Sequence, residues 1–241
     1  MKSIHSSKSN KSNNSHQSND ARLIIKSGGM EPSDRKLFDS GLSFDPSVTQ
    51  NDYIAALEDE KHHSDESLSM YVHLPFCPSR CLTCDHQTSV SHDQKQIDRY
   101  LDALELEVQL ITDHLGKGRH LQQLHLGGGT PNYLSEVQLV RLLDMLDSHF
   151  TINAQTESSL DANAQRASLS QLTLLHGLGF RTLNLELRDL DPTVQRALGR
   201  HQSLPVVRDV FENARHVGFD TVSTDLVYGL PMQTSASVQQ T

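Results

Sequence analysis

Tyr71-Val72-His73-Leu74-Pro75-Phe76 followed by Cys77-Pro78-Ser79-Arg80-Cys81-Leu82-Thr83-Cys84 reads as a strand that runs directly into a loop carrying three thiols. Downstream of that loop, short apolar runs alternate with amphipathic ones. Ile97, Leu101, Leu104, Val108, Ile111 and Leu115 recur at spacings of three and four, which predicts a helix. Leu121–Leu126 reads as a second strand, stopped by Gly127-Gly128-Gly129. Leu134–Phe150 reads as a helix, with Ser135 and Gln138 spaced as a capping box. Thr156–Leu160 is a third strand, Ser168–Leu178 a helix, and Thr182–Leu187 a fourth strand. Pro192 suits the first turn of the next helix, and Val206–Val217 makes another. Thr221–Tyr228 is a fifth strand, and a further helix begins over Ser235–Gln240. The repeated βα pattern predicts an α/β architecture with a parallel sheet. Five βα units fall short of the eight of a closed barrel, so an incomplete barrel, truncated at its C-terminal side, is expected.

Upstream the composition changes. Residues 1–20 are Ser, Asn, Lys and His with almost no large apolar side chains, and a disordered polar tail is expected there. Residues 21–69 form a lead segment with one helix candidate, Gln50–Glu60, where Tyr53, Ile54 and Leu57 make a short stripe. The α/β domain is assigned to 70–241. No run approaches the roughly 20 apolar residues of a membrane helix, and the N-terminus lacks the apolar centre of a signal peptide. A cytoplasmic location without membrane contact is therefore expected. The net charge of −9 and the absence of Lys/Arg runs argue against a nucleic-acid partner. The 14 His are scattered, and the only three Cys fall within one eight-residue stretch. An odd cluster of that kind is a metal or redox site rather than a disulfide framework.

Cys77, Cys81 and Cys84 are spaced C-x3-C-x2-C, tight enough to aim three sulfurs at one small object. Thiolate is a soft ligand that suits iron–sulfur clusters and zinc. Zinc needs a fourth ligand for a closed tetrahedral site, and His86 can supply it. Three inert buried thiols are the remaining reading. A 4Fe–4S cluster is the favoured one. Three thiolates leave one of its irons without a protein ligand, open to an outside amine and carboxylate such as the methionine end of S-adenosylmethionine (SAM). An electron from the cluster can then cleave the sulfonium C–S bond and release a radical that abstracts hydrogen.

Gly127-Gly128-Gly129-Thr130-Pro131 follows a strand directly. Glycines let backbone approach a ligand and offer unhindered N–H groups to a carboxylate. Many strand ends carry such turns, but about fifty residues after the cysteine loop this one fits a site for the methionine end of SAM. Glu157 lies in the third strand with Asp161 after it, either as an inward carboxylate for the SAM amino group or as an ordinary solvated residue. Arg200 and Asp225 pose the same choice. Asp225 stands in an otherwise apolar strand, where a carboxylate needs a partner.

Tyr71–Cys77, Gly118–Tyr133, Val194–Gln202 and Asp225–Pro231 together resemble, in order, the oxygen-independent coproporphyrinogen III oxidase (coproporphyrinogen dehydrogenase) family of radical SAM enzymes in haem biosynthesis. The resemblance spans about Leu68 to Thr241 and implies a partial (β/α) barrel of the radical SAM type. It implies a 4Fe–4S cluster on Cys77, Cys81 and Cys84. Tyr71, Gly128 and Glu157 match positions contacting a first SAM; Gly129, Thr130, Arg200 and Asp225 match positions contacting a second. It further implies a porphyrinogen substrate, oxidative decarboxylation of two propionates to vinyl groups giving protoporphyrinogen IX, a monomer, and an electron donor such as flavodoxin or ferredoxin. The chain departs from the pattern at His86, where a fourth cysteine is frequent, at Thr83, where an aromatic is usual, and at Arg188, where a Gln on the second SAM is expected. Arg35–Gly41 replaces an early family segment, and the last barrel strand and a C-terminal domain have no counterpart. Two other readings stay open: a haem chaperone of the same superfamily, toward which Asp85 leans, and a non-catalytic zinc module on the three cysteines and His86.

Overall fold

The structure, a computed structural model, describes residues 23–27, 48–63, 66–82, 84 and 86–241. The tail at 1–20, the Arg35–Gly41 segment, Thr83 and Asp85 lie outside the described residues. The elements are β1 (Leu23–Ser27), α1 (Gln50–Lys61), β2 (Leu68–Leu74), β3 (Phe76–Cys77), β4 (Ser89–Val90), α2 (Gln94–Leu115), β5 (Arg119–Gly128) and α3 (Glu136–Asp147). They continue with β6 (Phe150–Thr151), β7 (Glu157–Ala162), α4 (Leu169–Gly177), β8 (Thr182–Arg188), α5 (Pro192–Leu198), α6 (Leu204–Val217), β9 (Thr221–Leu226) and α7 (Ser235–Gln240).

The helices begin where the chemistry of their first turns requires. Ser135 accepts from the Gln138 backbone while the Gln138 side chain bonds back to the Ser135 N–H, so α3 carries the reciprocal cap its sequence predicts. Asp191 accepts from the N–H groups of Thr193 and Val194, and Pro192 occupies the first turn of α5, where a missing N–H costs nothing. All six apolar positions of the α2 stripe are buried. At about 1.5–3 kcal/mol for each large apolar side chain withdrawn from water, that one face fixes the helix on the sheet. The helix expected over Leu134–Phe150 stops at Asp147. Phe150 instead lies in β6, paired in parallel with Arg119 and only 2% exposed.

The main sheet runs β1-β2-β5-β7-β8-β9, with β6 joined to the start of β5. β1 is antiparallel to β2, and every other pairing is parallel. This is the expected α/β partial barrel, with β1 added from the lead segment. Burial alternates along β2 and β8. Leu68, Met70, Val72 and Leu74 of β2 and Leu183, Leu185 and Leu187 of β8 enter one core shared with α2, α3, α4 and α6. The opposite face is polar and carries Tyr71, His125, Asp161, Asn184 and Glu186. Among the described residues, no helix is long and apolar enough to cross a membrane.

The expected strand at Tyr71–Phe76 starts earlier, at Leu68, and breaks at Pro75, which has no N–H to give. Around that break the glycine run meets the β2 end. Gly129 N–H donates to Leu74 O at 2.8 Å, and Thr130 N–H to Phe76 O at 2.9 Å. A methyl group on Gly129 would lie 2.7 Å from the carbonyl oxygens of both Pro75 and Phe76. Gly128 has φ +108, and a methyl group there would meet the His73 ring at 2.8 Å. The two segments thus pack backbone to backbone, and these N–H groups serve the junction rather than a ligand. Gly129→Ala is expected to lower stability by about 1–3 kcal/mol, the cost of forcing an extra carbon into packed backbone. Chemical denaturation of the variant against the parent measures it.

Candidate metal centre and cofactor site

The cysteine loop leaves the sheet at β3, which pairs with the two residues of β4. Ser89 N–H bonds Pro75 O at 2.7 Å, Cys84 N–H bonds Cys81 O at 3.3 Å, and Leu82 N–H bonds Leu198 O at 3.0 Å. The last of these ties the loop to the end of α5. All three thiols are free and half-buried. Each faces a polar side chain. Thr130 Oγ1 donates to Cys77 Sγ at 3.6 Å, Arg200 Nη1 donates to Cys81 Sγ at 3.9 Å, and Cys84 Sγ lies 3.8 Å from Thr88 Oγ1. Arg200 is itself fixed. Its Nη2 donates to the Glu186 carbonyl at 2.9 Å and pairs with Glu186 Oε2 at 3.0 Å, the two side chains being 9% and 17% exposed.

One cavity gathers much of what the sequence proposed. Cys77, Cys81, Cys84, Gly128, Gly129, Arg188 and Arg200 line it, joined by His86, Thr88 and Glu186. It sits at the C-terminal end of the parallel strands, where α/β folds place their chemistry. Arg188 adopts φ 66, uncommon for a residue with a side chain, at a register shift between β8 and β9. Burial pushes the Cys77 thiol above its ordinary range; the Thr130 hydroxyl opposes this, and the neighbouring Cys84, Cys81 and Glu186 add to it. The donor set fits a thiolate-bound cluster: three uncombined sulfurs on one small cavity, each within reach of a hydroxyl or guanidinium. Among the described residues, no group of three or more His, Cys, Asp or Glu side chains is spaced for a single metal ion. His86 lines the same cavity as the three cysteines.

Tyr71 and Asp225 stand on the polar face of the sheet, at the two ends of a row that runs over five strands, β2, β5, β7, β8 and β9. The Tyr71 ring stacks on His125 with centroids 5.5 Å apart. His125 reaches Ser159 Oγ at 2.8 Å and Asp161 Oδ2 at 3.3 Å. Asn184 Nδ2 then donates to Asp161 Oδ1 at 3.1 Å and to Asp225 Oδ2 at 3.0 Å. The strand around Asp225 is not the apolar one expected: Asp225 is exposed, and no residue of β9 is fully buried. Burial, followed by the negative charges of Asp161 and Glu186, pushes the Tyr71 hydroxyl up to about 12.

Glu157 is not part of this row. It is exposed and accepts from Gln123 Nε2 at 3.1 Å. The β5–β7 register sets Glu157 opposite Gln123, five residues before Gly128. At about 3.3 Å per residue this is roughly 16 Å short of Gly128. Asp161 faces the same side of β7 two residues beyond Ser159, next to the level of Gly127. The sequence reading also passed over Glu186, His125 and Thr88. Glu186 and Asn184 alternate with the leucines of β8, and that signal marks them as facing away from the core.

The radical SAM superfamily model matches residues 71–241, and the chain belongs to that superfamily. Membership implies a 4Fe–4S cluster and SAM as cofactors. Within it, the chain is 38% identical over 183 residues to oxygen-independent coproporphyrinogen III oxidase of Escherichia coli, covering 76% of this chain and 40% of that protein. It is 32% identical over 206 residues to the enzyme of the same name from Pseudomonas aeruginosa, covering 85% and 45%. The solved structure of the Escherichia coli coproporphyrinogen III oxidase, a radical SAM enzyme, superposes with a TM-score of 0.77 at 34% identity, covering 86% of this chain and 48% of that one. The chain thus spans less than half the length of these relatives.

Removing the Thr130 hydroxyl takes away the group that, among the described residues, favours the Cys77 thiolate. In Thr130→Val the thiol is expected to titrate higher still, and a smaller thiolate fraction reacts more slowly at a fixed pH near 8. Each pKa unit of that change slows the reaction by about tenfold. Iodoacetamide labelling of the metal-free protein, with Cys77 followed by peptide mass spectrometry, reads the rate. An unchanged rate would remove the hydroxyl from the account of this sulfur.

Proposed function

We propose that the chain performs radical SAM chemistry on coproporphyrinogen III, oxidatively decarboxylating propionate side chains toward protoporphyrinogen IX without oxygen. The observation that supports this most is the convergence of three free thiols, a bare glycine backbone and two arginines on one cavity at the C-terminal end of the strands. Cys77, Cys81 and Cys84 would hold the cluster. Bound there, cluster and SAM supply the one-electron cleavage and the hydrogen abstraction that no amino-acid side chain provides.

The protein's own residues bind and orient. Gly128 and Gly129 present a surface without side chains, which leaves room beside the sulfurs. Asp161 would receive an ammonium group, in the role the sequence reading gave to Glu157. Tyr71 keeps its proton at physiological pH, since its hydroxyl titrates near 12, and so offers a neutral donor and a flat ring beside the site. Arg188 and Arg200 supply positive charge for carboxylates, of which the methionine end of SAM has one and the porphyrinogen several. Asp225, held by Asn184, would face a ligand lying across the sheet. A low-potential donor such as flavodoxin or ferredoxin would deliver the electron.

Anaerobic reconstitution of the chain is expected to give stoichiometric iron and sulfide and, with dithionite, conversion of SAM to 5′-deoxyadenosine. Cys81→Ala is expected to abolish that conversion, because one of three ligands is lost. Coproporphyrinogen III should then yield a vinyl-bearing porphyrinogen, detected after oxidation by its absorbance and mass. SAM cleavage without any porphyrinogen product would overturn the substrate assignment. Protein without sulfide would overturn the cofactor assignment as well.

A further inference from the structure

We propose that the buried Glu186–Arg200 ion pair sets the reduction potential of the cluster through Cys81, with Arg200 raising it and Glu186 lowering it. The inference rests on the cluster reading above. The two neutral hydroxyls, Thr130 on Cys77 and Thr88 at Cys84, contrast with a full positive charge on Cys81. The guanidinium is oriented. Nη1 is turned to the sulfur at 3.9 Å, while Nη2 is held on the far side by the Glu186 carboxylate and carbonyl at 3.0 and 2.9 Å. The pair is therefore a dipole with its positive end toward the thiolate. With 9% and 17% of the side chains exposed, solvent screens it little. Arg200 Nε is buried with no partner among the described residues, so the same group retains a further N–H to give.

Reduction adds one electron to the cluster from an external low-potential donor and breaks no bond. The added charge is spread over iron and thiolate sulfur. A positive charge and an N–H donor beside one sulfur stabilise the reduced form, and a carboxylate behind them destabilises it. Glu186→Gln should leave Arg200 in place, because the Glu186 backbone carbonyl still accepts from Nη2.

The test is an EPR-monitored redox titration of the reconstituted full chain with dithionite and mediators, without SAM. Parent, Arg200→Gln and Glu186→Gln are compared, each normalised to its iron and sulfide content. Arg200→Gln is expected to disfavour reduction at least tenfold, which is about 59 mV to more negative potential for one electron. Glu186→Gln is expected to shift the potential in the opposite direction. A purely structural ion pair would give two variants that lose cluster together or move the same way, and that outcome overturns the proposal. Should Arg200→Gln fail to assemble a cluster, Glu186→Gln decides alone: a rise supports the proposal, and an unchanged or lowered potential overturns it. A parent protein that assembles no cluster overturns the cluster reading itself, and this inference with it.

Discussion

The structure depends on one close approach: the Gly128-Gly129 backbone against Leu74–Phe76, with no room for a methyl group on Gly129 between them. Hydrogen bonds from Gly129 and Thr130 to Leu74 and Phe76 join the end of β5 to the start of the cysteine loop. That junction decides where Cys77 emerges and brings Thr130 within reach of its sulfur. From there the loop needs few other restraints. The β3–β4 pairing and the bond from Leu82 to Leu198 complete its path, so three thiols on a loop share a cavity with residues of β5, β8 and the turn after α5. The glycines matter here for their small volume rather than as N–H donors.

Two kinds of polar group meet near this cavity, and they are stabilised differently. The Tyr71, His125, Asp161, Asn184 and Asp225 row is a chain of ring contacts and hydrogen bonds in which Asn184 bridges two carboxylates. Partial solvation lets it form at moderate cost. The Glu186–Arg200 pair is far more enclosed. Desolvating two charges can cost as much as their attraction returns, so such a pair is a poor device for stability alone. Its Arg200 end stands 3.9 Å from Cys81 Sγ, the contact on which the proposal about the reduction potential rests.

Much of the architecture was legible because it is periodic. The α2 stripe, the Ser135–Gln138 cap and the Pro192 start of α5 are local patterns, and each stands where the sequence places it. The cysteine spacing and the glycine run pointed to one site, and the structure puts them on one cavity. What the sequence hid depends on register and on backbone. Glu157 and Asp161 share a face of β7, and no pattern within that strand says which lies level with the glycines; only its pairing with β5 does. β1 joins from the lead segment across some forty residues, and β3, β4 and β6 are too short for any period to declare them. The N–H groups of Gly129 and Thr130 looked available in the sequence because their acceptors lie some fifty residues away.

The alternation along β8 separates two tasks within one strand. Leu183, Leu185 and Leu187 belong to the core, while Asn184, Glu186 and Arg188 face the polar side and the cavity. Mutational drift at the second set can retune charge around a ligand without disturbing hydrophobic packing, and drift at the first can be compensated within the core without altering the ligand's surroundings. A scaffold of this kind can acquire new reactants one outward-facing side chain at a time.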